Sequence, residues 1–198
     1  RVAEATLRQQ NSTFGKADRD VINSLMFLAE TKSSLSRSEE SKSLYRRVSE
    51  LYGSRIDAVD WDLESANNLA WLLVTCPDQE LHDYPRAIHL ATQVTQRSPI
   101  SDMYWNTLGV AQYRAGNWKK AVRSFQESLS GGRLAHFAED NFFLAMCYAR
   151  LGDRQRAGDS FARASQWLEQ NPAGRSSDLV WIRREATELL GDLGIVEP

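Results

Sequence analysis

The side chains in this sequence that could do chemistry are few and scattered. His82, His89 and His136, together with Cys76 and Cys147, are what a metal ion or a thiol reaction would need. In "HDYPRAIH", His82 falls in an irregular stretch and His89 on a helix, a spacing that does not suit zinc. The cysteines lie far apart inside apolar stretches and form no C-x-x-C arrangement. They read as buried free thiols, suited to a reducing, cytoplasmic compartment. Serine, histidine and aspartate occur without a nucleophile elbow, and there is no Gly-rich phosphate loop and no HRD or DFG triplet. "SRSEESKS" reads as a turn and a solvated helix start rather than as a phosphorylation site. The expectation is therefore no enzyme, no metal and no cofactor, and what remains is recognition.

Composition narrows the class of partner. The chain has 198 residues, 24 Lys and Arg against 26 Asp and Glu, a formal charge of −2 and a pI of about 6.0. Without a dense basic run, a nucleic-acid footprint is not favoured. No apolar run approaches the ~20 residues of a membrane helix, so no membrane partner is expected. The sequence starts at Arg1 rather than Met and reads as an excised module of a larger protein.

Recognition residues need a frame, and the frame is a repeat. "DMYWNTLGVAQYRAGNWKKAVRSFQESLS" (102–130) aligns with "DNFFLAMCYARLGDRQRAGDSFARASQ" (140–166). Leu108-Gly109 matches Leu144-Ala145, Gly116 matches Gly152, Ala121 matches Ala157 and Phe125 matches Phe161, each pair 36 residues apart. Backwards, Ala87, Ala91 and Val94 precede Ala121, Phe125 and Ser128 by 34, while Leu69-Ala70 precedes Leu108-Gly109 by 39. Register holds within each helix and the extra residues fall in turns, as stacked helical hairpins require.

This pattern, with Trp105, Leu108, Gly109, Gly116, Ala121 and Phe125 in place, resembles the tetratricopeptide repeat (TPR), a helix–turn–helix unit of about 34 residues. The resemblance implies an all-α fold, an alpha-solenoid. Its expected parts are a partly helical N-terminal segment over 1–21, a degenerate unit over 22–56, and units over 63–101 (with an inter-helix insertion), 102–137 and 138–172. A capping helix over 176–191 closes the open end. In the degenerate unit Leu28-Ala29, Ser36, Ser41, Tyr45 and Val48 keep the spacing, with Ser in place of Gly and Ala. In the capping helix Ser177 is the expected N-cap, Leu179, Ile182, Ala186 and Leu189 the buried stripe, and Gly191 the stop. Residues 63–171 are also similar to the C-terminal TPR regions of large planctomycete multidomain proteins, often serine/threonine protein kinases. That likeness implies a regulatory or assembly appendage.

The residue types have a physical logic. Leu108 and Gly109 are expected to face the partner helix around Ala121, where small residues let two axes approach, with Trp105 and Phe125 filling the flanks. Leu144-Ala145 against Ala157, with Phe161, would repeat the device. Gly116 and Gly152 end first helices where a left-handed backbone is wanted.

In the family these first helices line a concave groove. Carried over, the groove residues are Asn67, Trp71 and Val74, then Asn106, Val110, Tyr113 and Arg114, then Phe142, Met146 and Arg150. Asn can pair with a peptide backbone, Arg can hold a carboxylate in a two-pronged geometry, and Tyr, Trp and Met add apolar contact. Trp71, Phe142 and Met146 read equally well as core, and Arg114 and Arg150 read more readily as solvated charges than as ligand clamps. The chaperone-tail carboxylate clamp is disfavoured, because Met26 and Glu30 stand where Lys and Asn are needed. The expected function is a non-catalytic scaffold binding a protein or peptide partner, acidic or apolar, in the groove. The alternative is self-assembly as a homo-oligomer or intramolecular docking within a parent signalling protein, with exposed aromatics such as Trp118 and Trp181 as contacts.

Overall fold

The computed structural model describes residues 21–33, 38–56, 62–131, 135–171 and 177–196, and among them all regular structure is helical. The expected N-terminal segment, up to residue 20, Ser36 of the degenerate unit, and the side chain of Ser177 lie outside the described residues.

The chain divides into two compact units. One contains helix α1 (21–33), helix α2 (Ser38–Ile56) and a short 3-10 turn, Gln79–Leu81. Glu39 and Glu40 sit in the first turn of α2, where the helix dipole favours negative charge. The Ser41 hydroxyl donates to the Ala29 carbonyl at 2.8 Å, joining α2 to α1 in a buried spot. Tyr45 and Val48 are buried as well. Arg46 of α2 reaches Asp78 and Glu80 at 3.2 and 2.7 Å.

The other unit holds Ala66–Val74 of helix α3 (Leu63–Thr75) and helices α4 (Tyr84–Arg97), α5 (Asp102–Arg114), α6 (Trp118–Ser130), α7 (Phe137–Arg150), α8 (Arg154–Gln170) and α9 (Ser177–Asp192). Asp83 caps α4 by accepting from the Arg86 amide at 3.0 Å, with Pro85 in the first turn. Its stripe Ala87, Leu90, Ala91 and Val94 is buried. The Trp105 indole N–H donates to the Pro99 carbonyl at 2.8 Å and closes the turn into α5.

Two hairpins, α5–α6 and α7–α8, follow one recipe. Gly116 (φ 76°) and Gly152 (φ 81°) end the first helices. Asn117 N–H bonds back to the Gln112 carbonyl and Gly116 N–H to Tyr113, while Asp153 bonds to Tyr148 and Gly152 to Ala149. This is the double bond pattern of a glycine-terminated helix. Asp153 then caps α8 through the Arg156 amide. Helix α9 ends the same way, but at Gly194 (φ 61°), whose amide bonds to the Gly191 carbonyl while Ile195 bonds to Leu190. Gly191 is thus inside the helix, which runs to Asp192, and is not its stop.

Within α5–α6 the close approach falls at Gly109. A Cβ there would lie 2.5 Å from the Phe125 ring, so the glycine is a seat for that ring. Phe125 is fully buried and stacks on Phe143 of α7 at 5.4 Å. In the next hairpin Ala145 carries the methyl that Gly109 lacks, and Phe161 is only half-buried, meeting Phe142 edge-on at 5.3 Å. Leu108, Ala121, Leu144, Ala145 and Ala157 are all buried.

Candidate functional site: the α5–α7 face

Helices α5 and α7 are adjacent first helices, and the face they share is where the groove residues were expected. Helix α9 lies on it. Its packing is on α7, with slight contact to α8, where Arg154 donates to the Gly194 carbonyl at 3.0 Å. Leu179, Ile182, Ala186 and Leu190 are its buried stripe. Leu190 takes the place expected of Leu189, which is half-buried, because a 3.6-residue period continued from Leu179 through Ala186 arrives at 190.

The contact has a charged centre. The Arg114 guanidinium donates from both terminal nitrogens to Glu185, at 2.6 Å to Oε1 and 2.7 Å to Oε2. The pair joins α5 to α9 across 71 residues of sequence. The side chains keep 22% and 30% of their exposure, so water still reaches the pair's edge. Arg114 also lies over the rings of Tyr113, Trp181 and Phe143, at 5.5, 5.5 and 6.0 Å. Tyr113 and Trp181 both meet Phe143 edge-on, at 5.4 and 6.2 Å. Burial opposes the charge on Arg114, but the hydrogen bonds and attraction of Glu185 outweigh it, and its pKa stands above its ordinary value. Burial, then the Glu185 charge, pushes the Tyr113 hydroxyl up to about 12, so it stays protonated.

Deeper between α5 and α7 sits a carboxylate. Asp140 Oδ1 accepts from Asn106 Nδ2 at 2.8 Å, and both residues are buried. Burial pushes the Asp140 carboxyl up to about 7, against the hydrogen bonds of Asn106 and Ser128 and the pull of His136. His136, held by Glu139 at 2.9 Å, is raised by that hydrogen bond despite burial.

The expected groove residues divide. Tyr113 and Arg114 meet at the α9 contact, with Tyr113 Oη 3.5 Å from both Met146 Sδ and Glu185 Oε1. Val110, Phe142 and Met146 are fully buried, so they are core rather than ligand surface, filled against neighbouring helices as tight packing demands. Asn106 is likewise committed to Asp140. On α3, Val74 is buried, Trp71 is half-buried, and Asn67 is buried with its Oδ1 unbonded. Arg150 is exposed and makes no ion pair among the described residues. Glu185, Phe143 and Asp140 were missed. The sequence signal for Glu185 was present, since Trp181 and Glu185 stand four apart beside the stripe, but nothing in their spacing points to Arg114.

Among the described residues, no three or more His, Cys, Asp or Glu are grouped to hold a metal ion, and no helix is long and apolar enough to cross a membrane. Burial raises the Cys76 thiol to about 11 and Cys147 to about 12, so both stay protonated and unreactive. His82 Nε2 lies 2.8 Å from the Cys76 carbonyl.

These elements make the protein an all-α helical repeat of the TPR-like, alpha-solenoid class. Among solved structures it is similar to MamA of MSR-1, at 19% identity and a TM-score of 0.57, covering 86% of this chain and 99% of that one. It is also similar to TTC0263, a thermophilic TPR protein of Thermus thermophilus, at 18% identity and a TM-score of 0.52, covering 83% and 98%. BtubC (BKLC) from P. vanneervenii gives 17% identity and a TM-score of 0.55, covering 96% and 81%. At these identities the likeness is one of fold. No family model matches the sequence, and no curated protein matches it.

Proposed function

We propose that this protein is a non-catalytic interaction scaffold whose α5–α7 face recognises a helical segment of a protein partner, and that it works as a module of a larger protein. The observation that carries the reading is the two-pronged Arg114–Glu185 pair set among Tyr113, Phe143 and Trp181. Arginine over aromatic rings, holding a carboxylate brought from a distant helix, is the chemistry that protein interfaces use at their strongest points. The fold class supports the same reading, since stacked hairpins present first-helix faces side by side. Two unreactive thiols fit a reducing, cytoplasmic setting.

The intramolecular version of this reading is favoured by a specific observation, because the segment seated on the face is the chain's own α9. A regulatory docking role within a parent signalling protein is the finer form of this proposal, and an own helix seated on the face is consistent with it. Affinity capture by the native chain and by Arg114→Glu, compared partner by partner, tests the proposal. Loss of a partner from the variant is expected, and retention of every partner removes the α5–α7 face as the recognition surface.

A further inference from the structure

Helix α9, the last helix of the stack, packs mainly on one helix of the hairpin before it. To close the open end it would lie against both helices of the final hairpin, yet its packing is on α7, with α8 touched slightly and α5 reached through the Arg114–Glu185 pair. Its inner side carries Trp181, Ile182, Glu185 and Ala186, while Arg183, Arg184 and Glu188 on the other side are exposed. The Arg114–Glu185 pair is partly open to water, so a competing carboxylate could approach it. Arg150, one turn beyond Met146 on the helix that α9 covers, is exposed and has no ion-pair partner among the described residues. Helix α9 therefore satisfies one cation on this face and leaves a second unmatched.

We infer that α9 is a self-docked ligand, and that the partner replacing it is an acidic amphipathic helix presenting an aromatic and an aliphatic residue, then a carboxylate and a small residue one turn later. This rests on the α5–α7 face being the recognition surface proposed above. The competitor gains over α9 by offering Arg150 a second carboxylate, and positive residues facing an acidic helix speed its approach. Until it arrives, α9 lowers the apparent affinity of the face by the fraction of time it is seated.

The probe is a fluorescent synthetic peptide of residues 177–196, titrated into the full chain while amide exchange across α9 is followed. Glu185→Gln in the chain is expected to raise peptide affinity roughly tenfold, the lower end for losing a charge-assisted pair that water already reaches. Peptide binding should deprotect the chain's α9 amides, and the same Glu185→Gln change in the peptide should weaken it. Arg114→Lys in the chain keeps the charge but loses the fork that α9 and the peptide both use, so it should free the α9 amides without raising peptide affinity. Equal affinity for native and variant chains, with α9 still protected, would overturn self-docking while leaving the recognition face a candidate. No peptide binding to either chain, although α9 exchanges freely in the variant, would remove both ideas. Dimers of the variant by light scattering would assign the face to a second copy's α9 and overturn the foreign partner.

Discussion

Two arginines, Arg114 and Arg156, each pair with a carboxylate and lie over a tyrosine, and they differ in what those contacts reach. Each lies over a tyrosine, at 5.5 Å from Tyr113 and 4.6 Å from Tyr148, and each meets a carboxylate at 2.6 Å. Arg156 takes its carboxylate from Asp153, three residues back at the cap of its own helix. It borders an open groove of about 780 Å³ whose rim includes Lys119, Arg123 and Arg154. Arg114 takes its carboxylate from Glu185, a helix that must first fold back over α7. The first cluster is gathered from residues 148–156, within one hairpin, whereas the second exists only when three helices are assembled. Chemistry alone does not mark a site; the sequence distance over which the chemistry is gathered does.

The contrast can be broken first from beneath. Gly109→Leu would drive a side chain into the Phe125 ring, and Phe125 supports Phe143, which floors the Arg114 cluster. A loss of about 2–3 kcal/mol in chemical denaturation is expected, with fluorescence of Trp181 changing early and the Arg156 cluster untouched.

The second test uses pH. Asp140 binds its proton more tightly folded than unfolded, since its pKa rises from 3.8 to about 7. Between those values the native state holds more protons, so stability falls as pH rises through the window, by up to about 1.4 kcal/mol per unit. His136, also raised, acts in the same direction at higher pH. Asp140→Asn keeps the bond to Asn106 possible and should flatten the pH 4–7 slope measured by denaturant midpoints. A slope unchanged in the variant would mean that the buried carboxyl is not responsible.

Arg114→Ala comes next. It strands Glu185 against aromatic rings and should cost about 1–2 kcal/mol, a value reduced for the pair's partial exposure. Amide exchange should rise in α9 more than elsewhere. The smallest effect is expected for Arg156→Ala, whose exposed i,i+3 pair should leave the melting temperature unchanged within error. If Arg156→Ala melted lower than Arg114→Ala, the ranking by sequence distance would be wrong.

Much of the fold was legible because its determinants are local. Gly116 and Gly152 announce turns through a backbone conformation that other residues resist, and both adopt it. Leu108, Ala121, Leu144 and Ala157 mark buried faces by spacing alone, and they are buried. Local rules also misled at close range. Gly191 looked like a helix stop, but Gly194 is equally able to turn left-handed, and the bonds to Leu190 and Gly191 select it. The candidate site was legible only in part. Tyr113 and Arg114 were among the expected residues, but Val110, Phe142 and Met146 share their helix face and are closed off by neighbours.

What the sequence determined by itself was the hairpin: where the chain turns at Gly116 and Gly152, and which stripe of each helix is apolar. Each of these depends on residues within a few turns of one another, so periodicity carries the information. What only the tertiary structure decided was the fate of the α5–α7 face. Whether α9 caps the last hairpin or lies across this face depends on a balance of packing area, one ion pair and ring contacts between segments about 70 residues apart. No local spacing encodes that balance, because the groups that meet come from segments far apart in the chain.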